Sequence, residues 1–335
     1  MLGSYSSIIL LCYDLITKRN EPISMPWTER TKRRLKLRDL EVLMAVIKTG
    51  SMGKAAKHLG ISQPGVSKSI VELEDALGVR LLDRSRRGIV PTLYGLALQR
   101  QGDAVFNELR QAVQHIDFLV DPTKGEIRIG TTDPIAISLA SPIINALSRE
   151  NPKMFFHVVS GDTLTLYSDV ADRRVDFAVC RMIGTLPNEL AAEVLFHDTF
   201  AVMASAENPL SRRRKLTWAD LANEPWTLYP LDSFFGSVVS EAFRVNGLEP
   251  PRVSVTSMSF NVQRELLATG RFLTVLPGFM LKLPNRGLLL KALPVSLTNS
   301  RMPIGLITLK NRSLTPPVEL FIDRLREYAR PLSAF

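Results

Sequence analysis

The chain has 335 residues, which is enough for two or more domains, and its 45% hydrophobic and 22% charged residues indicate a globular rather than a disordered protein. The net charge of +9 favours a polyanionic partner such as nucleic acid. Cys12 and Cys180 lie far apart, which excludes a disulfide framework and a cysteine metal cluster. We expect both thiols to be inert and the protein to work in a reducing compartment, the cytoplasm.

The N-terminus carries the apolar run SSIILLCYDLI, which is too short to span a bilayer and lacks the preceding positive charge of a signal peptide. Met25 stands just before the basic segment WTERTKRRLKLRD. We expect Met25 to be the working start and residues 1–24 to be an over-extended reading frame; a real N-terminal arm is the alternative. Residues 1–34 are treated as an arm, and no membrane partner is expected.

Three short helical patterns follow the arm. In the first, the apolar residues recur at i, i+3, i+4 and i+7: Leu40, Leu43, Met44 and Ile47. Gly50 ends this helix and Ser51 caps the second, over about 52–59. Ser62 caps a third helix that runs to about Leu77. Three helices with a tight glycine turn before the last one predict a helix-turn-helix unit.

The third helix has an unusual distribution of charge along its length. Its first half carries short or amide side chains: Gln63, Pro64, Gly65, Ser67 and Lys68. Its acids, Glu72, Glu74 and Asp75, all lie in the second half. A DNA-reading helix enters the major groove by its N-terminal half, where Gln can bond adenine and Lys meets phosphate. We expect these five residues, with Ser51 and Ser62, to contact DNA; a plain helical subdomain with ordinary caps is the alternative.

The segment VRLLDRSRRGIVPT, residues 79–92, predicts two short strands around a tight turn, which would form a wing. Arg84, Arg86 and Arg87 crowd its tip. Arginines on a projecting loop suit phosphate or narrow minor-groove contact. A solvated basic turn is the alternative. Residues 35–92 would then be a winged helix-turn-helix DNA-binding domain.

Thr92 is the predicted cap of a long helix that reaches about Val120. Its apolar positions step by four and three residues: Leu98, Gly102, Val105, Leu109, Ala112, Ile116 and Leu119. This is a heptad seam, of which Gly102 is the weak position, and it favours pairing with a second copy in a homodimer. Packing against the chain's own core is the alternative. DPTKG, residues 121–125, predicts a hinge, so residues 93–124 are interpreted as linker helix and hinge.

From Gly125 onward, strand and helix patterns alternate, which predicts an α/β domain with a parallel sheet over residues 125–335. The segments 195–202 and 298–308 look like crossings between two lobes. We expect lobe 1 to comprise about 125–197 and 300–330, and lobe 2 about 198–299.

The residues of 37–84 resemble the LysR-type transcriptional regulators, through the block L-x-x-L…GS-M-x-x-AA-x-x-L-x-ISQP-x-VS-x-x-I-x-x-LE-x-x-LG-x-x-L-x-x-R. The resemblance implies a winged helix-turn-helix, a dimerising linker helix and a two-lobed α/β effector domain similar to type 2 periplasmic binding proteins. It implies promoter DNA, a small-molecule effector and RNA polymerase as partners, and a homodimer or a dimer of dimers. Gly65 departs from the family's usual Ala, and Leu82 from its usual Phe.

In such two-lobed folds the ligand lies between the lobes, at strand ends and helix starts. The effector residues that the resemblance implies are Thr131, Thr132, Asp133, Asp162, Thr163, Thr199 and Phe200, and less directly Phe234, Phe235, Thr256 and Ser257. The alternative for each threonine is a helix cap or a strand former, and Thr163 fits either. Asp133 either caps a helix or opposes an anionic ligand. If it lines the cleft, a polyol or sugar is favoured over a simple organic anion.

An enzyme and a solute-binding protein are the two main alternatives to a transcriptional regulator. The sequence has no G-x-S-x-G, G-x-G-x-x-G, P-loop or H-E-x-x-H motif, and its four histidines are dispersed. We therefore expect no catalytic site, no metal and no cofactor. A solute-binding protein would need export and would not need residues 1–125. A purely architectural DNA-binding protein would not need an effector domain.

Overall fold

The computed structural model describes residues 34–85, 88–231, 233–281, 289–297 and 300–333, without the side chains of Arg84 and Phe234. The expectations for the arm and for Arg86 and Arg87 lie outside these residues. The chain divides into two compact units, one ending at Val105 and the other beginning at Phe106. No helix in the described ranges is long and apolar enough to cross a membrane.

The first unit contains three short helices and a hairpin. The helices are α1 (Leu37–Thr49), α2 (Met52–Leu59) and α3 (Gln63–Leu77). Each ends at a glycine in the left-handed region, with φ of 65° at Gly50, 65° at Gly60 and 67° at Gly78, because that conformation is open to glycine and strained for other residues. The small side chains of Ala55 and Ala56 let α2 pack closely into the common core.

The predicted wing is present as strands β1 (Leu82–Ser85) and β2 (Gly88–Pro91), which pair antiparallel. The Ile89 N–H donates to the Gly50 carbonyl at 3.0 Å, which fastens the wing to the end of α1. Glu74 on α3 also holds the wing, since its Oε1 accepts the N–H of Leu81 at 2.7 Å and that of Leu82 at 3.2 Å.

The long helix α4 covers Leu93–Val120. Thr92 caps it as expected, because its Oγ1 accepts the Gly95 N–H at 3.1 Å. The start of the predicted seam needs correction. Leu98 packs against the core of the first unit. A Cβ at Gly102 would lie 3.1 Å from both Leu40 Cδ1 and Met44 Sδ, so this glycine allows α4 to lie directly against α1.

The second unit has two main sheets among the described residues. Its strands are β3 (Lys124–Thr131), β4 (Lys153–Ser160), β5 (Phe177–Arg181), β6 (Leu190–Asp198), β7 (Phe200–Ser205), β8 (Trp226–Leu228), β9 (Val253–Thr256), β10 (Thr274–Pro277), β11 (Leu290–Ala292) and β12 (Met302–Leu309). The first lobe has a sheet of order β4-β3-β5-β12-β6, and the second has β10-β7-β11 with a separate β8-β9 pair.

The expectation of a parallel sheet is only partly right. Strand β3 is parallel to β4 and β5, but β12 is antiparallel to both β5 and β6. The chain leaves the first lobe along β6 and returns along β12, so the returning strand runs in the opposite direction to the one that leaves. The β10-β7-β11 sheet is antiparallel throughout.

The helices of the second unit cover the sheets. They are α5 (Asp133–Ile135), α6 (Ser141–Glu150), α7 (Thr163–Ala171), α8 (Trp218–Leu221), α9 (Phe234–Val245), α10 (Phe260–Ala268) and α11 (Pro316–Ala329). A π-helical turn, Ala136–Ala140, lies between α5 and α6. Pro142 has no N–H to donate to the preceding turn, which gives a physical reason for the wider turn before it.

Candidate DNA-binding surface and effector cleft

Helix α3 turns its apolar residues inward and its first half outward. Val66, Ile70 and Leu73 are buried in the core of the first unit. The predicted contact residues Gln63, Pro64, Ser67 and Lys68 are exposed, and Gly65 is half-buried. The structure therefore places these five residues on one accessible end of one helix, with no acid among them.

The two serines both act as caps. Ser51 Oγ accepts the Lys54 N–H at 3.4 Å, and Ser62 Oγ accepts the Gly65 N–H at 3.2 Å. Both serines are therefore helix caps, which is the alternative to DNA contact that the sequence left open. Each cap uses a lone pair of the hydroxyl oxygen, so the O–H itself stays available as a donor to a phosphate.

Two features of this surface were missed from the sequence. Lys54 and Lys57 on α2 are exposed and add positive charge beside α3. Glu72 lies 3.3 Å from Lys36 and 3.7 Å from Lys68, so this acid is neutralised by its neighbours. The lysine spacing on α2 could have been read as a basic helix face, whereas the Lys36 pair depends on the tertiary fold.

For the wing arginines, the structure describes only the backbone position of Arg84. Arg84 pairs with Ile89 across the hairpin, one residue pair before Ser85 and Gly88 at the tip. The side chain of Arg84, and Arg86 and Arg87 altogether, are not among the described atoms. Their assignment to DNA remains a prediction from the sequence.

Within the second unit, α4 has a polar face and an apolar face. Arg110 lies 3.3 Å from Glu126, and the Gln114 Nε2 donates to Glu126 at 3.2 Å. Arg173 donates to Glu108 at 2.7 Å. These contacts attach the polar face of the helix to the first lobe.

The apolar face of α4 lies open. The side chains of Val105, Leu109, Ile116 and Leu119 are 39%, 45%, 60% and 71% exposed. Ala112 is also exposed, as is Val113, which the heptad count left out. A continuous exposed apolar stripe on a helix is uncommon on a monomer surface and is typical of a helix that pairs with another chain.

The second unit contains a cleft of about 310 Å³ between its lobes. Segments from both lobes line it, at the ends of β3, β4, β5, β8 and β10 and at the start of β7. The residues that line it include Thr132, Asp133, Asp162, Thr163, Arg181, Phe200, Tyr229 and Phe235. Five of the seven primary effector residues implied by the family resemblance are in this set.

The other predicted effector residues lie elsewhere. Thr131 is buried beside the cleft, and its hydroxyl donates to the Thr132 carbonyl at 3.3 Å. This hydroxyl is therefore bonded to the backbone at the end of β3. Thr199 and Thr256 are exposed and do not line the cleft, and neither does Ser257. The side chain of Phe234 is outside the described atoms. Thr131, Thr199 and Thr256 are therefore not among the residues that line the cleft.

Arg181 and Tyr229 are the main lining residues that sequence reasoning missed. The Arg181 Nη2 donates to Asp198 Oδ2 at 2.7 Å and its Nη1 donates to the Asp198 carbonyl at 3.1 Å. The guanidinium carbon lies 4.1 Å from the centre of the Phe200 ring. A lone arginine closing the apolar strand FAVCR was a signal that could have been read as a functional position.

Hydrogen bonding fixes the threonine and aspartate at the start of α7. Thr163 Oγ1 donates to the Arg181 carbonyl at 2.9 Å, so its hydroxyl links the start of α7 to the end of β5 and does not cap the helix. Asp162 caps α7, with Oδ1 accepting the Thr165 N–H at 3.0 Å and Oδ2 accepting the Thr165 hydroxyl at 2.7 Å. These bonds from Thr165 lower the pKa of Asp162 from its ordinary value.

Asp133 does not cap its helix. The cap position is Thr132, and no hydrogen bond or ion pair reaches the Asp133 carboxylate from the described residues. Tyr229, from the other lobe, lies near enough to respond to Asp133: burial raises the pKa of Tyr229, and the negative charge of Asp133 raises it further. Both side chains line the cleft, one from each lobe.

Comparison with known proteins matches both units. Residues 37–96 match the family described as "Bacterial regulatory helix-turn-helix protein, lysR family", and residues 121–330 match "LysR substrate binding domain". The chain is 31% identical over 301 residues to the HTH-type transcriptional regulator GbpR of Azospirillum brasilense, covering 88% of this chain and 87% of that protein. It is 27% identical over 299 residues to TdcA of Escherichia coli (strain K12), covering 88% and 93%.

Solved structures show the same fold. The crystal structure of full-length CbnR complexed with its target DNA superposes with a TM-score of 0.63 at 18% identity, covering 89% of this chain and 99% of that chain. A full-length OxyR variant from Pseudomonas aeruginosa gives a TM-score of 0.60 at 22% identity, covering 88% and 95%. The chain therefore belongs to the LysR family and is a DNA-binding transcriptional regulator with an effector-binding domain, not an enzyme.

Proposed function

We propose that this regulator works as a homodimer in the cytoplasm and binds a partly palindromic promoter site through α3 and the wing. A small molecule that enters the cleft changes how the dimer binds that site. The observation that carries the proposal is the exposed, acid-free first half of α3, held by a helix-turn-helix core. The proposed domain limits are 35–92 for DNA binding, 93–124 for the linker, and 125–335 for the effector domain.

The proposed roles on DNA follow from side-chain chemistry. Gln63 bonds an adenine edge through its amide, and Ser67 reaches a base edge or a phosphate. Lys68, Ser51 and Ser62 contact phosphates and set the register, as do Arg84, Arg86 and Arg87 on the wing. Pro64 and Gly65 add little bulk, which lets the helix end approach the groove closely.

The proposed dimer forms along the exposed apolar stripe of α4. Its polar face is already attached to the first lobe, so the stripe from Val105 to Leu119 is free to meet the same stripe of a second copy. The heptad spacing of this stripe suits an α4–α4 pair, and such a pair is isologous. A dimer of dimers, through surfaces of the effector domain, is the further assembly that we propose.

Effector binding would act by shifting populations of lobe geometry. A ligand in the cleft contacts both lobes, so it favours whichever arrangement offers the better contacts. A coupling of about 1–3 kcal/mol between cleft and DNA would change the affinity for the promoter about 5- to 150-fold. We propose that the changed DNA geometry alters access of RNA polymerase.

Footprinting tests the proposal. The purified full chain would be tested on the DNA upstream of its own gene, with competitor DNA and a salt series. We expect protected half-sites about one helical turn, or a multiple of it, apart, because each α3 of a dimer enters one major groove. Salt-sensitive binding that competitor DNA abolishes, with no protected site, would contradict autoregulation; a genome-wide map with no discrete sites would contradict specific binding.

A further inference from the structure

The arginine that lines the effector cleft is already neutralised by the protein itself. Arg181 is 4% exposed and is held by the carboxylate and the carbonyl of Asp198. The start of α7, where free N–H groups would attract an anion, is occupied by the Asp162 carboxylate. An anionic effector would therefore have to compete with a built-in aspartate for each of these positive features.

The unsatisfied charge in the cleft is negative. Asp133 is half-buried, lines the cleft, and receives no hydrogen bond or ion pair from the described residues. With Asp162 and the Arg181–Asp198 pair, the ionised groups at the cleft have an excess of carboxylates. A carboxylate ligand placed beside Asp133 meets like-charge repulsion, whereas a hydroxyl group donates to it in a charge-assisted hydrogen bond.

Aromatic rings form part of the wall beside Asp133. The rings of Phe200 and Phe235 meet edge to face with centroids 5.5 Å apart, and those of Tyr229 and Phe235 lie 5.0 Å apart. The negative face of an aromatic ring attracts weakly positive C–H groups. A compound that carries hydroxyls on one side and C–H groups on another fits a carboxylate set against aromatic rings.

From these observations we propose that the effector is a neutral polyhydroxylated compound of monosaccharide size, whose hydroxyls donate to Asp133 and whose C–H face packs on Tyr229 and Phe235. The cleft of about 310 Å³ is at the small end of the ~300–1,000 Å³ range of ligand pockets, which suits one sugar ring. This inference rests on the proposed function, since it takes the cleft as the effector site.

Calorimetry on the full-length protein tests the inference with shape-matched pairs. The probes are the common neutral aldohexoses and aldopentoses, and for each the uronic acid of the same ring. We expect at least one neutral sugar to bind at least tenfold more tightly than its uronic acid. An amino sugar that binds while every neutral sugar fails would overturn the proposal in favour of a cationic effector.

Variants locate the effect in the cleft. Asp133→Asn should weaken the neutral sugar at least tenfold and reduce the discrimination against the uronic acid, because the repelling charge is gone. Glu249→Gln, an exposed acid of the same unit that does not line the cleft, removes the same charge and should change neither value. An unchanged thermal midpoint for Asp133→Asn would separate lost binding from lost folding.

The failure of this inference is distinguishable from failure of the proposed function. If carboxylates alone bind, or if no neutral compound of the panel binds, the neutral-effector inference is overturned. The promoter footprint of the unliganded protein does not depend on the effector class. A protected site would therefore leave the regulatory proposal standing, whereas loss of specific binding would remove the basis of both.

Discussion

The recognition helix and the effector cleft handle charge in opposite ways. Two of the three acids on α3 are paired within the protein: Glu72 is paired with two lysines, and Glu74 accepts two backbone N–H groups at the wing. The exposed first half of the helix is left without acids, which suits a polyanion.

In the cleft the arginine is paired within the protein, and one aspartate is not. Arg181 is satisfied by Asp198, while the described residues give the Asp133 carboxylate no partner. The net charge of +9 therefore says little about the cleft. The comparison shows that the charge left unpaired after folding decides which partner each region suits.

The largest effect on stability is expected from Asp198→Ala, which removes the acid that is paired with Arg181 in the cleft. Removing one member of a buried ion pair leaves the other charge uncompensated, which costs about 3–5 kcal/mol of unfolding free energy. Asp198 also accepts the Phe279 N–H at 2.8 Å. Denaturant unfolding measures this loss, and any folded protein should bind uronic acids better than the wild type does.

Glu193→Ala is the matched control. Glu193 pairs with Arg326 at 2.7 Å, but both side chains are nearly half exposed, so the loss should be under about 1 kcal/mol. Equal losses for Asp198→Ala and Glu193→Ala would show that burial does not govern the Arg181 pair.

The next effect concerns the acid that holds the wing. Glu74→Ala removes the acceptor of the Leu81 and Leu82 N–H groups, and we expect a loss of about 1–3 kcal/mol in unfolding free energy. Glu72→Ala removes only partly exposed ion pairs and should cost less than about 1 kcal/mol. If Glu72→Ala cost as much as Glu74→Ala, the wing-holding role of Glu74 would be wrong.

On DNA, Gln63→Ala should differ in kind from Arg86→Ala. Loss of the Gln63 amide should cost about 1–3 kcal/mol at one base position and relax specificity there. Loss of the Arg86 charge should weaken all sequences alike and flatten the salt dependence. Competition binding against single-base variants of the site measures both, and a uniform loss for Gln63→Ala would contradict its base-reading role.

The smallest effect is a change in the pKa of Tyr229, whose titration tests whether Asp133 lies close to its ring. Burial and the Asp133 charge keep the native phenol protonated past the ordinary pKa of 10.0, so its contribution to stability is lost as pH rises above that value. Asp133→Asn should lower the pKa of Tyr229 towards 10.0 without restoring it, because burial remains. Ultraviolet titration, with Tyr229→Phe to identify the signal, measures this; an unchanged pKa would place the carboxylate away from the ring.

Local patterns predicted the DNA-binding unit well. Ser51 and Ser62 each stand directly before the helix they cap, and the apolar period of α3 is contained in one short segment, so the starts of α2 and α3 and the outward face of α3 could be predicted. The heptad count could not tell that Leu98 and Gly102 pack within the first unit, because periodicity shows which side of a helix is apolar but not what covers it.

The residues of the cleft were harder to predict, because the cleft is assembled from segments that are far apart in the sequence. Thr132 and Asp133 were expected because the family resemblance places the pocket just after the first strand of this domain. Arg181 and Tyr229 were not, since their entry into the cleft depends on how the lobes fold around it. The antiparallel return of β12 had the same cause, because strand direction is set by the path of the whole chain between the lobes.

The central claim is that the acid-free end of α3 is the DNA-reading surface, and Ser67→Glu tests it most directly. Fluorescence anisotropy on the footprinted site would compare it with Gln101→Glu, which adds the same charge at an exposed position of α4. We expect Ser67→Glu to lose at least tenfold in affinity, because a carboxylate would face the phosphates, and Gln101→Glu to lose much less. Equal affinities for the two variants would contradict the claim.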